Sequence, residues 1–185
     1  KIVKMKKVLI TLSCAIFLMS CKTSNATSAA NTSKNNVAVS IDLVNVIDDK
    51  VKVTIINPTI TTETTTFNIP KIVPGTYSED NYGRFVENVK AFDAKGNPLK
   101  IAKMDENSYT IYNATKLAKV TYYVNDTYDT EIGAGFGESE DIFSPAGTNI
   151  KAGENFMLNT HGFVGYFEGK SEIPYTVEVK HPATL

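Results

Sequence analysis

The sequence after Asn36 predicts an all-β domain, an antiparallel β-sandwich or multi-sheet arrangement, preceded by a signal helix and a disordered linker. Three observations carry this expectation. From Val37 onward apolar residues recur at every second position, the period of a half-buried strand. Turn-forming residues punctuate these runs at regular spacing, as in sandwiches built from many short strands. No stretch of this part of the chain has the 3.6-residue period of a long amphipathic helix.

Met5 is the first plausible initiator, and Lys1 to Lys4 read as sequence upstream of the true start. Lys6 and Lys7 supply a short basic region, Val8 to Met19 (VLITLSCAIFLM) an apolar one, and Ser20 a small residue before Cys21. A membrane-spanning helix needs ~20 apolar residues. This run is shorter, and it matches a secretory signal. Leu18-Met19-Ser20-Cys21 has the arrangement of a lipobox, so residues 1–20 are expected to be a lipoprotein signal peptide and Cys21 the lipidated residue. A lipid chain contributes roughly 0.8 kcal/mol per buried CH₂, and stable anchoring takes more than one chain. An ordinary cleaved signal with a chance cysteine is the alternative. Lys22 to Asn36 is rich in Ser, Thr, Asn and Ala without apolar periodicity, and residues 21–36 are read as the lipidated cysteine and a flexible linker. The expected location is the cell envelope, on the periplasmic face of a membrane or at the outer membrane.

Residues 37–185 are one domain's worth of chain. Both cysteines, Cys14 and Cys21, lie ahead of it, so it can hold no disulfide of its own. The formal net charge of −1 argues against nucleic acid as a partner, which calls for a basic stripe.

Each strand has its own pattern. Val37, Val39, Ile41 and Leu43 alternate with small or polar residues, Asp48-Asp49-Lys50 is a turn, and Val51, Val53 and Ile55 resume the alternation, which makes a hairpin. Asn57-Pro58 ends it. Thr61 to Ile69 is crowded with β-branched residues, whose stiff side chains suit a pleated surface. Phe85 to Phe92 and Leu99 to Ala102 flank the turn Asp93-Ala94-Lys95-Gly96-Asn97-Pro98. The turn Asp105-Glu106-Asn107 leads into Tyr109 and Ile111, and Val120, Tyr122 and Val124 alternate again. Ile173, Tyr175, Val177 and Val179 form the clearest alternation of all. Between Asp126 and Asn155 the pattern lapses into glycines and acidic residues, among them Glu131, Glu138, Glu140 and Asp141. Such long irregular segments are usually functional or mobile.

Motifs for chemistry are sparse. The chain has no His-Glu-x-x-His, no Gly-x-Ser-x-Gly elbow and no phosphate-binding glycine loop before a helix. His161 and His181 stand too far apart for a local metal motif, and a catalytic zinc typically takes three protein ligands. Glu138 to Asp141 lacks the spacing of a calcium loop and reads as a solvated acidic segment. Two segments stand out. In Ile69 to Phe92, Pro74-Gly75 forces a turn, and Tyr77, Tyr82, Arg84 and Phe85 cluster aromatic and cationic groups behind it. Asn155 to Gly169 is an aromatic-rich run broken by Gly162, Gly165 and Gly169, suited to core packing or to a docking surface.

Val73-Pro74-Gly75-Thr76-Tyr77, Tyr82-Gly83-Arg84-Phe85 and Ala91-Phe92-Asp93 together resemble the N-terminal domain of the glycyl aminopeptidase family of zinc metallopeptidases. Phe143 to Asn149 and His161 to Phe167 resemble the Bacteroidetes-type lipoprotein members, which often carry a PDZ domain. Many members have a tryptophan before the Pro-Gly pair, where this chain has Ile72 and Val73. The resemblance spans nearly all of Val37 to Leu185.

It implies a non-catalytic β-domain that supports a C-terminal catalytic domain and lines the substrate cleft. Zinc is expected in that catalytic domain and no cofactor in this one. The implied partners are the catalytic domain, peptide substrates, and a membrane reached through the lipid. The chain ends before a zinc helix would appear, so it reads as a truncated product or an excised domain. Pro74, Gly75, Tyr77, Arg84 and His161 are the candidate cleft-lining or interdomain residues. For Arg84 the competing expectation is a guanidinium bonded to backbone carbonyls beneath an aromatic ring. Two other readings stay open: a stand-alone peptide- or glycan-binding β-sandwich lipoprotein, and an independent enzyme using His161.

Overall fold

A tight hairpin starts the domain. In the computed structural model, which describes residues 35–75, 79–128 and 146–183, β1 (Val37–Ile47) turns into β2 (Lys50–Ile56) through Asp48 and Asp49. Both aspartates are left-handed, with φ of 49° and 53°. A two-residue loop with positive φ at both positions has the twist that matches two antiparallel strands, and Asp tolerates it better than bulkier residues do. Expectation and structure agree here.

The chain then runs through β3 (Thr64–Asn68), a 3₁₀ turn at Tyr82–Phe85, β4 (Val86–Asp93), β5 (Pro98–Leu99), β6 (Ile101–Lys103) and β7 (Ser108–Tyr112). After a second 3₁₀ turn at Ala114–Lys116 come β8 (Leu117–Val124), β9 (Asn149–Lys151) and β10 (Asn155–Met157). The one-turn helix α1 (Thr160–Phe163), β11 (Tyr166–Phe167) and β12 (Tyr175–Lys180) complete it. Six strands form one sheet in the order β12-β1-β2-β8-β4-β5, and four form a second in the order β11-β3-β7-β6. β9 and β10 make a separate hairpin. The domain is all-β.

The alternation decides which side chains meet. Val37, Val39 and Ile41 of β1, Val51, Val53 and Ile55 of β2, and Val120, Tyr122 and Val124 of β8 turn one face of the six-stranded sheet inward and are buried. Phe67, Tyr109 and Ile111 of the four-stranded sheet belong to the same core. The Phe67 and Tyr122 rings lie 5.8 Å apart and bridge the two sheets, while Phe167, opposite Phe67 within the four-stranded sheet, places its ring 5.3 Å from it. Burying each aliphatic side chain of this kind contributes about 1.5–3 kcal/mol.

Three elements depart from the sequence reading. The Thr-rich run pairs only from Thr64, because Thr62 Oγ1 bonds to Thr64 O at 2.7 Å and holds the preceding residues in a bend. The stretch from Leu99 to Ala102 is two strands, and between them the chain crosses from one sheet to the other at Lys100. β12 joins the sheet parallel to β1, at its edge, rather than antiparallel. Its apolar stripe is left open: Val177 and Val179 are each 43% exposed.

Candidate functional site

The Pro-Gly turn and the aromatic segments converge on one corner of the domain. Pro74 and Gly75 form an exposed turn in which Gly75 has φ of 96°, a conformation that glycine reaches without a Cβ clash. Tyr77 lies outside the described residues. The loop is closed at its base, where the amides of Asp80 and Asn81 both donate to Lys71 O at 2.8 and 2.9 Å. Asn81, left-handed at φ 50°, then starts the 3₁₀ turn Tyr82–Phe85.

Asn107 holds this turn in place. Its Oδ1 accepts from Gly83 N at 2.8 Å, its Nδ2 donates to Asn81 Oδ1 at 2.8 Å, and its carbonyl accepts from Ile69 N at 2.8 Å. The side chain is buried, so these bonds replace those it would make with water. Glycine is required at position 83, since an added Cβ would strike Glu106 O and approach Asn107 Cα to 2.8 Å. In the sequence Asn107 showed only as a turn residue. No local signal distinguishes such a distant tie from an ordinary turn asparagine.

Arg84 is half-buried. Its Nε donates to Asp80 O at 3.0 Å and its guanidinium sits 4.8 Å from the centre of the Phe85 ring. Tyr82 is buried beside it, its hydroxyl 3.1 Å from Asp80 Oδ2 and 3.2 Å from Ala146 O. Burial first, and then the neighbouring Asp80 carboxylate, push the Tyr82 phenol far above its usual value, so it stays a neutral donor.

The second segment docks on the first. A Cβ at Gly162 of α1 would come within 3.2 Å of the Tyr82 ring. Asn159 caps α1 by accepting from His161 N at 3.1 Å, and its Nδ2 donates to Ala146 O at 2.7 Å. Tyr122, wholly buried in β8, donates its hydroxyl to Phe163 O and accepts from Gly165 N at 3.2 Å. Burial pushes this phenol far upward too, with the Gly165 amide acting in the opposite sense. Gly165 admits no side chain, since its Cβ would enter the Phe67 ring and reach Asn68 O at 2.9 Å.

A groove results. One cavity of about 400 Å³ is lined by Pro70, His161, Val164, Tyr166, Tyr175 and Val177, among others. A second, of about 350 Å³, is bounded by Asn68, Lys71, Ile72 and Asn107 and shares Pro70 and Tyr166 with the first. Of the candidate site residues, His161 lines the groove as an exposed side chain. Pro74, Gly75 and Arg84 are not among its lining residues. Among the described residues no three His, Cys, Asp or Glu side chains gather where they could hold a metal ion, so this chain's described residues do not fit a zinc site. Cys21 and the acidic segment from Asp129 to Asp141 lie outside the described residues, as do Phe143, Ser144 and Pro145.

Fold and groove together define a two-sheet β-domain. Residues 38–185 match the sequence profile of the Peptidase M61 N-terminal domain, and the chain belongs to that family. The resemblance drawn from the Pro-Gly and Arg-Phe motifs points to the same peptidase family. A search of curated protein sequences finds no match. Among solved structures, the chain is similar to the crystal structure of an aminopeptidase N family protein from Idiomarina loihiensis, with a TM-score of 0.64 and 14% identity. The superposition covers 80% of this chain and 22% of the other, so this chain spans about a fifth of that protein's length. At this identity the likeness is one of fold.

Proposed function

We propose that this chain is the non-catalytic N-terminal β-domain of an exported, lipid-anchored zinc aminopeptidase, where it supports the catalytic domain and lines part of the substrate cleft. The observation that carries this reading is the family match over residues 38–185, which covers the folded domain from β1 to its end. The groove beside Tyr166 and His161 supports the cleft role, since apolar side chains and a few polar ones line it together, as in sites that bind and orient a ligand. Catalysis and zinc belong to the catalytic domain in this account, and no step of the reaction is assigned to residues of this one.

Residues 1–20 act as the signal, Cys21 takes the lipid and residues 21–36 span from membrane to domain. Metabolic labelling with palmitate tests the anchor: the protein should carry label and fractionate with membranes, and Cys21→Ala should abolish both. Unlabelled, soluble wild-type protein would remove the anchor from the account. The peptidase reading is tested by the coding sequence beyond Leu185, which should contain His-Glu-x-x-His followed by a glutamate ligand.

The same groove, with Tyr166 and Tyr175 on its walls, supports a second reading, a stand-alone peptide- or glycan-binding lipoprotein. Saturable binding of short peptides or oligosaccharides to this chain, lost in Tyr166→Ala, would favour it.

A further inference from the structure

β12 ends the six-stranded sheet, and no described strand pairs with its outer side. Val37 N donates to Pro174 O at 3.0 Å, and Val37 stands in register with Tyr175. Along this parallel pair the even-numbered residues of β12 therefore turn their main-chain groups toward β1. Tyr175, Val177, Val179 and His181 turn theirs outward. An open row of this kind is a template for another strand.

We propose that the outer edge of β12 is the docking site for a second copy of this chain, whose own β12 runs antiparallel to the first about a two-fold axis centred on Val179. Charge complementarity selects this occupant and this register. Outward groups must meet outward groups, so odd-numbered residues pair with odd-numbered ones. A centre at Glu178 would set that carboxylate against its own copy, and a centre at Lys180 would set two ammonium groups together; like charges directly opposite destabilise a strand pair. A centre at Val177 pairs Thr176 with Glu178 and matches no charge. With the centre at Val179, Glu178 faces Lys180 of the second copy, and the two-fold axis makes that pair twice.

The sheet itself supports this choice. Glu178 stands beside Ser40 of β1, which offers it no charge, whereas Lys180 stands beside Asp42. Within its own sheet Glu178 lacks a basic neighbour in register, and the second copy brings one. The apolar stripe gains as well. Val179 meets Val179, Val177 meets His181, and the two exposed valine pairs merge into one stripe. The six-stranded sheet then continues without a break through both copies. This inference rests on the edge alone and does not depend on the peptidase reading.

Cysteine crosslinking in the protein as its cells produce it, carried out in the membrane fraction or in detergent, tests it. Val179→Cys should give a covalent dimer under mild oxidation, well above the background of the unsubstituted chain. Val177→Cys should not, because the two positions 177 lie several residues apart in the proposed register. Adding Glu178→Lys to Val179→Cys should cut the yield at least several-fold, and adding Lys180→Glu to that variant should restore it. Restoration shows that the charge-reversed chain still folds. Background-level crosslinking of Val179→Cys, equal crosslinking of Val177→Cys, or a yield indifferent to charge reversal overturns the proposal.

Discussion

β1 and β12 lie side by side, carry the same alternation of apolar residues, and meet different fates. In register, Val37 pairs with Tyr175, Val39 with Val177 and Ile41 with Val179, so each pair shares one face of the sheet. Val39 and Ile41 are 2% and 0% exposed, while their partners Val177 and Val179 are each 43% exposed. Backbone pattern does not separate them. What differs is the cover: β1 has strands on both sides and belongs to the buried core, whereas β12 is the last strand of its sheet. A period of two in the sequence reports a strand with an apolar face. It says nothing about what lies over that face.

The sharpest break of the comparison is a matched pair of truncations. Ile41→Ala should cost about 2–5 kcal/mol of unfolding free energy, since it leaves a cavity in a core that relaxes only in part. In the dissociated single chain, Val179→Ala should change it by less than about 0.5 kcal/mol, as a position exposed there and away from the core. Urea titrations of both variants at a protein concentration too low for association measure this, and equal losses would mean that β12 is covered within its own chain.

A smaller effect tests the cover itself. Tyr122→Phe keeps the ring packed on Phe67 but leaves Phe163 O and Gly165 N without their partner, at an expected cost of about 1–3 kcal/mol. If the loss falls near zero, the α1 segment is held by packing alone.

The smallest effect lies in the turns and depends on pH. A side-chain hydrogen bond from Asn97, then its amide, holds the Asp93 carboxyl below its usual value. The Asn107 amide chiefly does the same for Asp105. A carboxyl whose folded value is depressed binds fewer protons folded than unfolded, so its stabilisation is present above the unfolded value and lost as pH falls through the folded one. Stability should therefore hold from neutral pH down to about 5 and decline below about 4. Asn97→Ala should flatten that decline, as followed by urea midpoints against pH. Both carboxyls are exposed, and the change should be slight.

The strands were legible because alternation and turn chemistry are local. Asp48-Asp49 and Asp93 to Pro98 each set a hairpin from their own residues, and both hairpins appear where expected. What crosses between sheets was not legible. The step at Lys100 depends on which sheet accepts each half of the stretch, and the parallel edge of β12 depends on a partner far away in the chain. The site divides the same way. His161 was visible as a lone histidine in a glycine-rich aromatic run, and it lines the groove. Asn107 and Tyr122 act through contacts distant in sequence, which no spacing reveals. The family motifs mark these contacts indirectly: a Cβ at Gly83 would collide with Asn107, and a Cβ at Gly165, whose amide donates to Tyr122, would collide with Phe67.

The central claim, that this β-domain serves a larger zinc aminopeptidase, is tested most directly on the native protein. Antibody raised against the folded domain should recover from cells a membrane-bound polypeptide much larger than 20.2 kDa that holds zinc and releases N-terminal residues from peptides. Recovery of a lone chain of about this mass, without zinc and without peptidase activity, would contradict the account.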